Sequence, residues 1–348
     1  MRRPGRLSVV DIVLWGLRVA IVVGVGLGSW ATISEGKLTG GEWTELIVAG
    51  IAVGSVYALI ALGYTLVYGV LLMINFAHGD VFMFGAMTGF FVADGLADAG
   101  FLETNPIIGM TIVLIVAALS SMIVAIVLER VAYRPLRRAP RLVPLITAIG
   151  ASLFISNSVR GLYGEQLKAY PTLEIFAGRI NIFGLEILKT RANVIVAAVV
   201  LMLALYWFVE RTRTGRAMRA ISEDKDTAAL MGINVDRTIS TTFAIGGLLA
   251  GAAGVLYAIV YSQVHWFIGF VPGIKAFTAA VLGGVGNIIG AMLGGLSLGV
   301  LESVGPHLLL SGFGVPSPAQ LRDVIAFSVL VLVLIFRPYG LLGRPENR

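Results

Sequence analysis

Cysteine is absent from this 348-residue chain, and charged residues are scarce. Without cysteine the chain can form no disulfide, no thiolate metal site and no cysteine nucleophile. Charged residues make up 13% of the chain, against roughly 25% in ordinary soluble domains. Hydrophobic residues make up 57%. This composition excludes a fold that is exposed mainly to water and predicts a chain surrounded by lipid.

Motifs for nucleotide or metal chemistry are also missing. The chain has no GxxxxGK[ST] phosphate loop, and the only Gly-Lys pair, Gly36-Lys37, lacks the earlier glycine that this motif requires. The three histidines, His78, His265 and His307, are far apart in the sequence, which disfavours a zinc site. We therefore predict a chain that is not an enzyme, binds no metal or cofactor itself, and depends on a partner for any energy it uses.

Apolar runs of about 20 residues, the length that crosses the hydrocarbon core of a bilayer, dominate the sequence. The apolar stretch 266–310 is interrupted by glycines and prolines, and we interpret it as two spans, the first of them broken. The other predicted spans are 9–33, 46–72, 81–92, 107–128, 142–162, 194–209, 239–261 and 324–336. The prediction is an all-α polytopic membrane protein, a single domain of residues 1–348 with about ten transmembrane helices, including broken ones.

The basic residues give an orientation. Most of the 26 lysines and arginines fall in alternate loops and at both termini, and cytoplasmic loops carry such an excess. We predict cytoplasmic N- and C-termini, a cytoplasmic loop at about 210–238 and an outer-face loop at about 163–191, in which residues 172–188 form a short hairpin. The first apolar run is too long for a cleaved signal peptide, so we expect it to be retained. This distribution accounts for the formal charge of +6 without nucleic acid.

Few ionisable residues fall within the predicted spans, chiefly Asp11, Arg18 and Asp80. We place Lys275 in an outer loop. A proton-coupled carrier needs a buried acid or relay deep in its core, and Asp80 alone is thin support for one.

The segment INFAHGD, residues 74–80, directly follows the apolar GSVYALIALGYTLVYGVL of residues 54–71. A structural interpretation makes Asn75 a helix cap and Gly79 a tight turn between two spans. A functional interpretation makes Asn75, His78 and Asp80 pathway or gate residues, because polar groups at membrane depth are costly unless they line a cavity or pair with one another. The two roles are compatible.

The longest mixed-charge stretch is RTRTGRAMRAISEDKDTAALMGINVDR, residues 211–237. Its pattern predicts two short amphipathic helical turns, at 215–220 and 226–231, the second ended by Gly232. Such a helix suits docking onto a cytoplasmic motor, whereas a solvated loop that only fixes the topology is the alternative. The candidate docking residues are Gly215, Arg216, Glu223, Asp226, Ala228, Ala229 and Gly232.

The segment AAVLGGVGNIIGAMLGG, residues 279–295, is rich in glycine. Two small-xxx-small pairs favour tight contact between helices: Gly290 with Gly294, and Gly295 with Gly299. Gly283 and Gly284 break the preceding helix, and broken helices near the midplane are where transporters present backbone dipoles to polar solutes. Gly283 and Gly284 are therefore candidate pathway residues, with helix packing as the alternative role. A fourth segment, FRPYGLLG at 336–343, ends the last span.

These four segments, in this order and spacing, resemble the permease subunits of bacterial branched-chain amino acid ABC importers over about residues 46–343. The resemblance implies a fold like that of the vitamin B12 type importers, with inverted repeats around a central pathway. It also implies a second permease subunit, two cytoplasmic ATPase subunits that hold ATP and Mg, and a periplasmic or extracellular solute-binding protein. The chain is then expected in the bacterial inner membrane, moving branched-chain or related apolar amino acids by alternating access.

The resemblance has one departure and leaves alternatives. The docking pattern Glu-Ala-Ala followed by Gly is met by Asp226, Thr227, Ala228, Ala229 and then Gly232, with a Thr inserted and the spacing shortened. Urea and short-amide ABC permeases are similar in the same segments. A secondary transporter or channel would explain the spans but not the cytoplasmic loop. A membrane-embedded enzyme using His78 and Asp80 would lack a second polar cluster.

Overall fold

The computed structural model describes residues 9–137, 139–140, 142–171, 176–182, 185–337 and 339–343. Within them, nine helices are long and apolar enough to cross a membrane, and a shorter apolar helix spans Phe270–Gly283. The predicted all-α membrane fold is confirmed. The helices are α1 (Val9–Ser34), α2 (Gly40–Leu71), α3 (His78–Asp98), α4 (Phe101–Thr104), α5 (Pro106–Leu128), α6 (Leu142–Tyr163), α7 (Lys189–Arg211), α8 (Arg213–Glu223), α9 (Lys225–Leu230), α10 (Val235–Tyr261), α11 (Phe270–Gly283), α12 (Ile288–Leu310) and α13 (Arg322–Phe336).

Helices α2 and α10 form the buried centre of the bundle, whereas α1 and α13 lie at its exposed periphery. The two central helices are antiparallel, since Gly63 lies opposite Gly246, while Val53, which precedes Gly63 in α2, and Val260, which follows Gly246 in α10, line one cavity. Each of these two apolar helices is therefore buried on most of its surface, the arrangement expected for a helix that is hydrophobic all round.

Small residues set how closely α12 approaches its neighbours. One face of α12 lies against α2, where a Cβ atom on Gly295 would overlap the backbone of Ala58, and one on Gly299 would overlap Gly54. Another face meets α11, where Gly290 lies against Gly283. The small-xxx-small pairs predicted from sequence thus serve two different helix contacts.

Helices α2 and α10 both end at a non-glycine residue in the left-handed region, Leu72 with φ 55° and Ser262 with φ 54°. Each is followed by a short non-helical segment that leads back into the bundle, to α3 and α11 respectively. Because α2 and α10 are antiparallel, these segments enter from opposite ends. They converge where Gly79 meets Gly269, in direct backbone contact.

Gly79 therefore does not form the tight turn predicted for it. It lies in the first turn of α3, and its missing side chain is needed for the approach of α11. The Gly79–Gly269 contact lies close to the middle of the bundle. Gly246, which contacts the neighbouring His78, lies about 16 Å along α10 from Val235 at 1.5 Å per residue.

Four short strands lie at one end of the bundle. Strands β2 (Arg179–Ile182) and β3 (Leu185–Leu188) form an antiparallel hairpin, whereas β1 (Lys168–Ala169) pairs with β4 (Gln263–Val264). The hairpin predicted between residues 172 and 188 is confirmed for strands 179–182 and 185–188, and residues 172–175 and 183–184 lie outside the described residues. The β1–β4 pair places the ends of α6 and α10 at the same end of the bundle, as the predicted topology requires.

Candidate functional site

His78 is the first residue of α3 and is almost completely buried, between α2 and α10. Its ring meets the Tyr64 ring edge-on, with 4.8 Å between centroids. A Cβ atom on Gly63 would overlap the imidazole, so glycine at that position makes room for it. The Nε2 atom of His78 makes no hydrogen bond of ordinary geometry within the described part of the chain, although the Ile60 backbone faces the imidazole. An unpartnered buried nitrogen of this kind is uncommon and calls for an explanation.

Asn75 is buried, but it does not cap α3, contrary to the structural interpretation of the sequence. Its side-chain Oδ1 accepts a hydrogen bond of 2.9 Å from the Tyr133 hydroxyl. Tyr133 ends a π-helical turn, Glu129–Tyr133, that continues α5. The residue before α3 is Ala77, whose side chain makes no capping hydrogen bond. Asn75 therefore fixes the segment before α3 against the end of α5.

Asp80 lies in the first turn of α3, where the helix dipole favours a negative charge. Its carboxylate accepts a hydrogen bond from the Ser156 hydroxyl on α6. The three predicted residues of INFAHGD are thus brought together, but each side chain is held by a different neighbour. The arrangement couples the start of α3 to α2, to α6 and to the end of α5 at once.

Gly283 and Gly284 lie apart from this cluster, at the far end of α11. The helix ends at Gly283, and Gly284 takes φ +106°, a conformation that glycine adopts without strain. The amide of Leu341 donates to the Leu282 carbonyl at 2.8 Å, and that of Leu342 donates to the Gly283 carbonyl at 3.1 Å. The break in the helix is therefore confirmed, and the chain after α13 packs on it.

The predicted docking loop folds as two helices, α8 and α9, so both helical turns expected from the sequence are confirmed; α8 is longer than expected, whereas α9 has the expected six residues and begins one residue earlier. Asp224 caps α9, because its Oδ1 accepts from the amides of Asp226 and Thr227, each at 2.9 Å. These hydrogen bonds, that of Thr227 foremost, lower the pKa of the Asp224 carboxyl. Gly232 follows α9 with φ +85°, as expected for a helix-ending glycine.

Two of the remaining docking candidates are buried and four are exposed. Gly215 is buried against the backbone of Val209, and Ala228 is the buried residue of α9. Arg216, Glu223, Asp226 and Ala229 are exposed. Next to them, Leu230 and Met231 are 88% and 79% exposed. Two adjacent, fully presented apolar side chains are a feature of an interaction surface.

A groove of about 450 Å³ separates α9 from the turn that follows α5, with Asp226 and Ala229 on one wall and Arg134 on the other. The floor is held by a charge network. Arg137 pairs with both Glu129 and Asp236, and Arg134 pairs with Asp236 at 2.9 Å. The network joins the end of α5 to the start of α10 beside α9.

A second charge cluster was missed by the sequence reasoning. Lys275, expected in an outer loop, lies inside α11 and is 4% exposed. Its Nζ donates to Glu302 Oε1 at 2.7 Å and to Asp323 Oδ1 at 2.6 Å. Glu302 is 5% exposed within α12, so the spans hold more ionisable residues than expected. The sequence feature that could have indicated this cluster was Glu302, a lone glutamate inside the apolar run that forms α12.

Comparison with known proteins shows to which family this chain belongs. The model of a family described as "Branched-chain amino acid transport system / permease component" matches residues 46–334. The chain belongs to this permease family. It is 46% identical over 312 residues to the permease protein BraD of a high-affinity branched-chain amino acid transport system in Pseudomonas aeruginosa, covering 88% of this chain and 97% of BraD. The LivH permease proteins of Salmonella typhimurium and Escherichia coli are 44% and 42% identical, each comparison covering 85% of this chain and 94% of LivH.

For a member of this permease family, the geometry separates two ends of one multi-pass bundle. One end carries α8, α9 and the groove beside them, with exposed Leu230 and Met231. The other carries the strands and a polar cavity lined by Glu302 and Arg322. The cluster of Asn75, His78 and Asp80 and the Gly79–Gly269 contact lie between the two ends.

Proposed function

We propose that this chain is the permease subunit of an ATP-driven importer that moves branched-chain amino acids across the bacterial inner membrane by alternating access. The observation that carries the proposal is the family match over residues 46–334, which runs from α2 into α13. It is supported by relatives that are 42–46% identical over nearly their full length and are named as branched-chain amino acid permeases.

The partners proposed follow from the missing phosphate loop and from the exposed helices. Two cytoplasmic ATPase subunits hold ATP and Mg and hydrolyse the nucleotide, since this chain has no phosphate-binding motif. A second permease subunit, identical or different, completes the pathway, and a solute-binding protein delivers the amino acid on the outer face. Both termini, α8 and α9 face the cytoplasm, in agreement with the positive-inside rule.

In this proposal α9 is the element that contacts the ATPase. Leu230 and Met231 offer apolar anchors, and Arg216, Glu223 and Asp226 are exposed charged residues of α8 and α9. The groove between α9 and Arg134 lets one ATPase surface touch both α9 and the start of α10. Displacement of α9 would then be transmitted to α10, whose middle contacts His78.

Uptake by vesicles tests the proposal. The permease pair and ATPase subunits are reconstituted with the binding protein, and uptake of labelled L-leucine is measured with ATP enclosed. We expect uptake that needs ATP and persists when the proton gradient is collapsed at constant ATP. Uptake driven by a pH gradient without ATPase would contradict the proposal. Uptake of urea or acetamide in place of leucine would identify the chain as a short-amide permease instead.

A further inference from the structure

The charge cluster missed by sequence reasoning borders a cavity at the strand-bearing end of the bundle. The cavity has a volume of about 210 Å³ and lies between α2, α7, α10, α12 and α13. This is smaller than the roughly 300–1,000 Å³ of pockets that take drug-sized ligands. Three charged side chains line it, those of Glu302, Arg191 and Arg322. A cavity of this size and lining suits a small charged solute.

Glu302 supplies a buried acceptor at this cavity. Its Oε1 accepts the hydrogen bond from Lys275, while its Oε2 accepts no hydrogen bond of ordinary geometry from the described residues, the Tyr57 hydroxyl being the donor that faces the carboxylate. The side chain is 95% buried, since 5% of it is exposed. A buried carboxylate oxygen without a donor is costly and rare in folded proteins. A ligand cation or N–H group in the cavity would satisfy it.

Arg322 supplies the opposite charge. Its Nε lies 4.0 Å from Glu302 Oε1 and 3.9 Å from Asp323 Oδ1, both beyond hydrogen-bond distance. The guanidinium donates no hydrogen bond to the described part of the chain, although it carries five donors in a planar fork that matches a carboxylate. Arg191, on another wall, donates long hydrogen bonds of 3.4 Å to the backbone carbonyl and to the carboxylate of Glu45. The cavity therefore places two arginines whose contacts are long beside a buried carboxylate oxygen that accepts no hydrogen bond of ordinary geometry.

The charge balance selects the class of solute. Lys275 and Arg322 neutralise Glu302 and Asp323 within this cluster, and Glu45 neutralises Arg191, so a ligand of either net charge would leave one charge without a partner. A zwitterion keeps the balance. The rest of the wall contains the apolar side chains of Val53 and Val260 and the ring of Tyr261, which suit an aliphatic side chain.

We propose that this cavity is a binding site for a zwitterionic α-amino acid with an apolar side chain. The ammonium group binds Glu302, the carboxylate binds Arg322 with Arg191 beside it, and the side chain lies against Val53 and Val260. The site rests on the proposed function, for which it supplies a resting place on the permease after the binding protein has released the solute.

The test measures equilibrium binding of labelled L-leucine to the complex of permease and ATPase subunits, without nucleotide and without the binding protein. Two competitors each lack one charge: 4-methylpentanoate has no ammonium group, and 3-methylbutylamine has no carboxylate. We expect saturable leucine binding, with each competitor weaker by about tenfold or more because one buried charge then stays unpaired. Equal competition by unlabelled leucine, 4-methylpentanoate and 3-methylbutylamine would overturn the proposal.

Three variants of the cavity locate the site. Arg322→Gln and Glu302→Gln are expected to weaken leucine binding by about tenfold or more, and Val53→Phe to abolish it by filling the cavity without a change of charge. If Glu302→Gln fails to fold, Arg322→Gln still tests the site, because Arg322 is 52% exposed. Arg179→Gln is the matched control, since Arg179 is 54% exposed and pairs with Glu186 in the hairpin; it should bind as wild type.

The outcomes separate this site from the proposed function. The site would be overturned and the function left intact if leucine uptake by the wild-type complex needed ATP but leucine binding was not saturable. Binding that was unchanged in Arg322→Gln and Val53→Phe would have the same meaning. Saturable binding that is lost in both variants supports the site. If that complex showed no ATP-dependent uptake with its binding protein, the proposed function would fail while the site stood.

Discussion

Gly79 at the start of α3 and Gly269 just before α11 are in direct backbone contact, and a Cβ atom on Gly79 would lie 2.6 Å from the Gly269 carbonyl oxygen. Two helices that enter from opposite ends of the bundle therefore begin at the same place. The contact links the INFAHGD segment to the helix that carries Lys275.

We expect Gly79→Ala to destabilise the permease, because overpacking at a rigid backbone contact costs about 1–3 kcal/mol. The neighbour is backbone and not the end of a flexible side chain, so it has little room to move. The measurement is the melting temperature of the purified complex. Gly95→Ala in the same helix is the control, since no atom lies within 4 Å of its added Cβ. Equal melting temperatures for both variants would show that the contact is loose.

His78→Ala and Asp80→Ala are expected to lower transport more than they lower the yield of assembled complex. The reason is that each side chain joins the start of α3 to another helix, His78 to α2 and Asp80 to α6, at mid-bundle depth. Leucine uptake per assembled complex is measured in vesicles. Asp98→Ala, an exposed position at the end of α3, should behave as wild type. A parallel fall of yield and uptake would assign both residues a purely structural role.

Ala229→Pro is expected to uncouple the permease from the ATPase. Proline in a helix interior costs about 3 kcal/mol, and α9 is only six residues long, so the helix should be lost. Replacement of Ala228 and Ala229 by bulky charged residues should weaken the same contact. The measurements are co-purification of the ATPase and solute-stimulated ATP hydrolysis, with Ala229→Gln as the helix-compatible control. Unchanged assembly and coupling in all variants would move the contact to the turn at 129–141.

Asp224 should make the folding of α9 sensitive to acid. Its pKa is lower in the folded state than in the unfolded chain, because the ionised carboxylate accepts the amides of Thr227 and Asp226. A carboxyl group whose pKa is lowered by folding stabilises the folded state at pH values above its pKa in the unfolded chain, near about 3.9 for Asp. This stabilisation is lost as the pH falls through the pKa of the folded state. Hydrogen exchange of these two amides, corrected for intrinsic rates, should accelerate in that range.

Substitution separates the charge of this cap from its geometry. Asp224→Asn keeps a capping oxygen and should remove the acid sensitivity while the amides stay protected near neutral pH. Asp224→Ala should expose both amides at every pH. Protection in the alanine variant equal to that of wild type would mean that α9 is held by its contacts with α10 and not by the cap.

The sequence by itself determined the helices and their order. Apolar runs of about 20 residues leave the backbone no partners in a bilayer except its own carbonyls, so these runs must be helical. Local rules also predicted the break at Gly284, where φ is +106°, and the two helices of the 211–237 loop. These features depend on residues that are close together in the chain.

Only the tertiary structure decided which faces of those helices meet. Asn75 contacts Tyr133, Asp80 contacts Ser156, and Lys275 lies within an ion cluster with Glu302. A local pattern cannot tell a capping asparagine from one that binds a distant tyrosine, because both are short polar side chains beside a helix. A buried lysine is likewise stable only where distant carboxylates meet it, and that meeting depends on how α11, α12 and α13 pack together.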